Sequence, residues 1–200
     1  MISVINVISD SNIGGAGKCI LTFLKYYDKS KFDVKVVIPR DSLLKPELEA
    51  LGAYVIEADG ISDKSLSAKG IKSLKKIFKK HKPQIIHAHA SMSARFAGRL
   101  YGKAKIVFTR HSVFEPSKRI SSGIGKAING FVNNSTADKI IAVAEAAKDN
   151  IVKTGVNPDK IIVIQNGVEP IKAIGEEEKL KLKSNYNVSD NEFLLGIAAR

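Results

Sequence analysis

Several groups of residues in this 200-residue chain have types and spacings suited to chemistry. The first is the run Ser9-Asp10-Ser11-Asn12-Ile13-Gly14-Gly15-Ala16-Gly17-Lys18, with three glycines in four positions. Glycines so placed let a ligand approach the backbone, and free N–H groups in a following helical turn favour an anion there. The second is His87-Ala88-His89 and the third Arg110-His111. A histidine at such a place serves as a local hydrogen-bonding group or as a polar contact to substrate. Glu145 and the Asn166-Gly167 pair follow further on, the latter also readable as a plain turn. His87 and His89 have the spacing of two metal ligands, but no cysteine or carboxylate cluster accompanies them, so no metal site is expected.

The glycine run fits neither of two familiar phosphate-binding patterns. A P-loop places Gly, four residues, Gly-Lys, then Ser or Thr. Counting back from Gly17-Lys18 puts Asn12 at the first position, and Cys19 stands where the hydroxyl belongs. A dinucleotide fingerprint starting at Gly15 needs a third glycine where the chain has Ile20.

The elements that must position these residues alternate. Ile2 to Ile8 is a short β-branched run, as in a strand buried on both faces. After the glycines, Ile20, Phe23, Leu24 and Tyr27 recur at helical spacing. Strands are expected at Phe32 to Ile38, Ala53 to Ile56, Gln84 to His87, Lys105 to Thr109, Asp138 to Val143 and Ile161 to Ile164. Between them lie helices at Leu43 to Leu51, stopped by Gly52, at Ser65 to His81, from Ser91 to about Tyr101, and at Ala144 to Lys153. The stretch Ser112 to Asn134 reads as a loop and then a helix of weak propensity. Such alternation predicts an α/β, Rossmann-like parallel sheet with helices on both faces. The glycine run, His89, His111, Glu145 and Asn166 then all fall at carboxyl ends of strands, where open α/β sheets bind ligands. Residues 1–170 form this domain. Residues 171–190 carry a charged helix of the kind that links domains, and 191–200 read as the first strand of a second, truncated domain.

Composition narrows the function. A hydrophobic share of 44% suffices for a core, and a single cysteine fits a reducing compartment. There is no signal-peptide pattern and no apolar run of membrane-spanning length, so a cytoplasmic location is expected. The net charge of +12 suggests an anionic partner. No aromatic stripe is interleaved with the basic residues, so nucleic acid is not expected. Lys72, Lys75, Lys76, Lys79 and Lys80 on one helix, with the basic Phe114 to Phe131 segment, fit either peripheral docking on an anionic membrane or a solvated lysine face.

Taken in order, Gly-Gly-Ala-Gly after the first strand, Pro-Gln-Ile-Ile-His-Ala-His, Phe-Thr-Arg-His, Ala-Val-Ala-Glu, Ile-Val-Ile-Gln-Asn-Gly-Val-Glu and Leu-Leu-Gly-Ile-Ala-Ala-Arg resemble the N-terminal half of glycosyltransferase family 4. The resemblance covers nearly the whole chain. It implies the acceptor-side half of a GT-B fold and a retaining transfer from a nucleotide-sugar, UDP- or GDP-linked, to a glycan, lipid-linked or small-molecule acceptor. It implies no tightly bound cofactor. Gly14, Gly15, Ala16 and Gly17 match the family's loop against the donor's phosphates and sugar. His111 matches the histidine that points at the donor sugar, and His89, Glu145, Asn166, Gly167 and Arg200 join the substrate contacts. Gln165 stands for the usual proline, Ala144 for a serine and Ala199 for a glycine. With the donor half absent, the chain alone is expected to be inactive. The competing readings are a dinucleotide-binding oxidoreductase or epimerase domain and an anionic-surface binding module. The former lacks the third glycine and ends its second strand in Pro39-Arg40, although Asp41 is nearby.

Overall fold

Strand β1 (Ile2–Ile8) is apolar along most of its length and buried on both faces from Val4 onward, which places it inside a sheet. The computed structural model describes residues 1–63, 65–170, 172–189, 191–193 and 195–197. In it the chain alternates as expected: α1 (Gly15–Tyr26), β2 (Phe32–Pro39), α2 (Lys45–Ala50), β3 (Tyr54–Ala58), α3 (Ala68–His81), β4 (Ile85–His89), α4 (Met92–Tyr101) and β5 (Lys105–Arg110). Then come α5 (Lys118–Ser121), α6 (Gly123–Thr136), β6 (Lys139–Ala142), α7 (Glu145–Lys153), β7 (Ile161–Val163) and α8 (Glu176–Asn185). The seven strands form one sheet in the order β3-β2-β1-β4-β5-β6-β7, each pair parallel. This is the Rossmann-like α/β fold that the alternation predicts.

Right-handed connections fix which helix covers which face. Running outward from β1 to β3, α1 and α2 pack on one face, against Val4, Ile8, Val34, Val36 and Ile38. Running the other way, α3 and α4 pack on the opposite face against Ile5, Val7, Ile86 and Ala88, and α7 against Phe108, Ile140 and Ala142. The strand order therefore reverses between β1 and β4. At that point the loops leaving their carboxyl ends diverge and leave a crevice. On the α1 face, β4 to β7 carry no helix among the described residues of this unit, and an open groove of about 660 Å³ runs between their side chains and α1.

Local signals set the helix ends near the site. The Ser91 hydroxyl accepts from the Ala94 N–H at 3.2 Å and starts α4, and Gly102, left-handed at φ 76°, ends it. α6 approaches the end of α7 so closely that a Cβ on Gly130 would lie 2.3 Å from the Gly155 carbonyl oxygen. α1 starts earlier than the apolar spacing suggests: the glycines are its cap and first turn, where Gly17 is buried against Leu44 and Ala16 packs on the same apolar cluster.

The chain divides into two units, Met1–Gly167 and Val168–Arg200. The second contains α8, whose first turn carries Glu176, Glu177 and Glu178 and which buries no side chain. Ile171 and Asp190, the ends of the expected linker, lie outside the described residues, as do Leu194 and Ala198 to Arg200. Among the described residues of 191–197 no strand is formed.

Candidate active site

The segment between β1 and α1 is held rigidly from two sides. The Leu43 N–H donates to the Ser11 carbonyl at 2.9 Å, and the Ser42 hydroxyl donates to the same oxygen at 3.3 Å. On the other side Ser11 donates to Asp63 through its N–H, at 3.1 Å, and through its hydroxyl. Those hydrogen bonds hold the Asp63 carboxyl below the usual carboxylate range. Gly14, in extended conformation at φ −91°, is the N-cap of α1, and no side chain caps the helix. The N–H groups of Gly15, Ala16 and Gly17 thus have no intrahelical acceptor, as for any first helical turn.

The glycines are not there for left-handed backbone, since none of Gly14, Gly15 and Gly17 has positive φ. Gly17 is buried against Leu44, whose Cδ1 would lie 3.2 Å from an added Cβ, and at Gly14 an added Cβ would meet an Asp10 carboxylate oxygen at 2.8 Å. Gly15 is different: nothing lies within 4 Å of where its Cβ would be. Its lack of a side chain leaves open space beside the helix N-terminus.

The histidines converge. β4 lies between β1 and β5, with His89 opposite Ile8, the last residue of β1, and opposite Thr109 of β5. His89 Nδ1 lies 2.9 Å from His111 Nε2, and His89 Nε2 lies 3.2 Å from Asn6 Oδ1. His89 and Asn6 are 3% and 1% exposed. With the Asn6 amide oriented as it stands, its Oδ1 accepts from His89 Nε2–H. His89 Nδ1 then accepts from His111 Nε2–H, and His111 Nδ1 is left with a lone pair. That atom is buried and has no partner, and neither has Asn6 Nδ2. His87 completes the group, with Nε2 2.7 Å from Thr109 Oγ1 and its ring centroid 4.2 Å from that of His89.

Burial pushes all three histidines down, His87 to about 4 and His89 well below its ordinary value, and their mutual repulsion adds to it for these two. The cluster is therefore neutral at physiological pH, and its nitrogens act as hydrogen-bonding groups. The rings are joined to one another and to Asn6 and Thr109 rather than converging on one point. Among the described residues no three His, Cys, Asp or Glu side chains form a metal-binding group.

The other expected site residues are distributed along the same edge. Glu145 opens α7, exposed, with no side chain capping that helix. Asn166 follows β7 and accepts from the Cys19 thiol of α1 at 3.5 Å, and burial pushes that thiol's pKa up. Asn166, Gly167 and His89 line the groove on the α1 face, together with Asn6, His87 and Phe23. Arg200 lies outside the described residues.

Sequence reasoning missed Asn6, whose only signal was an amide inside an apolar strand. It also missed Ala90, which sits between His89 and the α4 cap with φ 56°. A non-glycine residue held there costs about 1 kcal/mol or more.

The family model for Glycosyltransferase Family 4 matches residues 13–172. A curated relative, the Escherichia coli UDP-Gal:alpha-D-GlcNAc-diphosphoundecaprenol alpha-1,3-galactosyltransferase, is 33% identical over 138 residues, which is 66% of this chain and 36% of the relative. Among solved structures, Anabaena HepE in complex with UDP-glucose aligns with a TM-score of 0.71 at 18% identity, over 96% of this chain and 51% of that one. A glycosyltransferase from Rickettsia africae aligns at 0.69 and 20% identity, over 95% and 50%. At such identities the structures show a shared fold. The chain spans about a third to a half of the length of these relatives.

Proposed function

The chain belongs to glycosyltransferase family 4, and from that premise we propose that it is the acceptor-side half of an enzyme that moves a hexose from a UDP-sugar to a lipid-linked saccharide, with retention at the anomeric carbon. The single observation that carries this reading is the convergence at the strand reversal. There the first-turn N–H groups of α1, which no side chain caps, follow β1, and the His111–His89–Asn6 chain joins β5, β4 and β1. The donor is proposed from the UDP and UDP-sugars, and the acceptor from the diphosphoundecaprenol-linked sugar, that the names of the relatives carry. The dinucleotide reading is not favoured, because the family match is to glycosyltransferases.

Transfer from a nucleoside diphosphate builds negative charge on the departing diphosphate and positive charge at the anomeric carbon. The N–H groups of Gly15, Ala16 and Gly17 favour the first, and the open space at Gly15 lets the diphosphate reach them. His111 Nδ1, an acceptor with no partner in the protein and covered from solvent as it stands, takes a hydroxyl of the donor sugar once a rotation of its ring uncovers it. Until then His89 and Asn6 hold its ring and its tautomer. Glu145, Asn166 and Gly167 are proposed as further substrate contacts on the same edge, and Arg200 as a contact to the diphosphate. No protein nucleophile, metal or tightly bound cofactor is part of this proposal. The donor half of the cleft is supplied by a second domain.

The test is turnover of UDP-galactose and UDP-glucose on a lipid-linked saccharide by this chain joined to its donor domain. Product configuration is read by NMR, and an inverted anomer would overturn the retaining assignment. His111→Ala should lower kcat by roughly ten- to a thousandfold. Its stability should fall by only about 1 kcal/mol, because His89 Nδ1 loses one partner. Wild-type turnover in that variant would remove His111 from the site. Residues 1–200 alone should not turn over, and robust turnover by them would overturn the two-domain reading.

A further inference from the structure

α6 is amphipathic in the inverse sense. Its protein-facing side is polar. Asn133 Oδ1 accepts from Arg95 Nη1 at 2.7 Å, Asn134 Nδ2 donates to the Gly155 carbonyl at 3.2 Å, and Asn129 Nδ2 donates to the Thr154 carbonyl at 3.4 Å. Gly130 fits against Gly155 between them. Its outward side is apolar, with Ile124, Ile128 and Phe131 exposed by 80%, 59% and 74%. Their spacing of four and three residues puts them in one stripe. The connection before α5 adds Phe114, 81% exposed. Single exposed apolar residues are ordinary, but a helix that turns its amides inward and its large apolar side chains outward marks an interaction surface.

The charges around the stripe choose its partner. From Phe114 to Ala137 the sequence holds Lys118, Arg119 and Lys126 and one acidic residue, Glu115, which is paired with Lys153 at 2.8 Å. All three cations are exposed. α3, on the same face of the sheet, adds exposed Lys72, Lys76, Lys79 and Lys80. A second copy of a chain of net charge +12 would match the apolar stripe but repel the cations around it. An anionic bilayer matches both. Apolar side chains of an interfacial helix enter the boundary between headgroups and acyl chains, while nearby cations each gain about 1 kcal/mol from anionic lipid.

We propose that the α5–α6 face, with Phe114, is the surface by which the protein lies on an anionic phospholipid bilayer. Ile124, Ile128 and Phe131 enter its interface, and Lys118, Arg119 and Lys126 pair with its phosphates. This deepens the function proposed above and rests on it only for the lipid-linked acceptor; the assay of docking uses neither donor nor acceptor, so either idea can fail alone.

The chain is sedimented with vesicles of phosphatidylglycerol and phosphatidylcholine, and with vesicles of phosphatidylcholine alone. Binding to the anionic vesicles should exceed binding to the neutral ones by about tenfold. Ile124→Ser/Ile128→Ser/Phe131→Ser keeps every charge and should lower anionic-vesicle binding about tenfold. Lys118→Gln/Arg119→Gln/Lys126→Gln should do the same. Circular-dichroism melting verifies that each variant is folded. Because the chain has no tryptophan, Phe131→Trp supplies an independent reading: its emission should shift to the blue with anionic vesicles only. Absent binding, undiminished binding of the serine variant, or unshifted emission would overturn the proposal. So would a dimer in solution that the serine variant dissociates, which would give the surface to a second copy.

Discussion

Acidification should unfold this protein earlier than its carboxylates alone would require, because of the histidines on β4. An unfolded histidine titrates near 6.5, whereas burial and neighbouring rings hold His87 at about 4. Between those values the unfolded chain binds a proton that the folded chain refuses. Stability is therefore complete above about pH 6.5 and falls as pH drops through the window toward 4. At 1.36 kcal/mol per unit, going from about pH 7.5 to about pH 5 removes about 2 kcal/mol through His87 alone. His89 and His111 are shifted in the same direction and add to the loss. The lowered carboxylates, such as Asp59 and Asp63, also lose stability in acid, but only below their ordinary values near 4, outside this range. The assay is urea unfolding followed by circular dichroism at the two pH values and constant ionic strength. His87→Gln retains a group that can hydrogen-bond Thr109 but cannot titrate, and should recover about 2 kcal/mol of the pH-dependent loss. Equal stability of the wild type at both pH values, or the same loss in His87→Gln, would refute the reasoning.

Two further outcomes follow from close contacts. Gly130→Ala drives a methyl into the Gly155 carbonyl, whose oxygen also accepts from Asn134 Nδ2, and should cost about 1–3 kcal/mol in chemical denaturation. Gly15→Ala meets nothing in the protein, so its stability should stay level or rise by up to about 1 kcal/mol, while turnover falls at least about tenfold if a diphosphate lies against that residue; unchanged turnover would make the glycine incidental.

The sheet was legible because buried parallel strands are near-continuous apolar runs separated by helical patterns, and connection handedness leaves few ways to arrange them. The ends of strands were legible too, which is why His89 and His111 stood out. Their partnership was not. Asn6 and His89 are 83 positions apart, and only the pairing of β1 with β4 brings them together. Periodicity had a related blind spot in the segment from Ser112 to Asn134. Spacing identifies an apolar stripe on α6 but carries no information on whether the stripe faces core or solvent. The asparagines facing inward decide it, through Arg95 of α4 and backbone carbonyls near Gly155.

Under the function proposed above, the polar chain at the strand reversal favours one kind of ligand over another. An apolar residue at position 6 or 89 would fit a buried strand with no unmet hydrogen bonds. Instead the site leaves Asn6 Nδ2 without an acceptor and His111 Nδ1 without a donor, each buried. Every such orphan costs about 1–3 kcal/mol. A group that both donates and accepts, as a sugar hydroxyl does, can satisfy His111 Nδ1 and recover part of that energy on binding. A purely anionic ligand cannot, because it has no hydrogen to give. The helix N-terminus beside Gly15 has the opposite preference, for acceptors alone. The segments that follow β5 and β1 thus carry, in the function proposed above, a hydroxyl-seeking group and an anion-seeking one, the two chemistries that meet in a nucleoside diphosphate sugar.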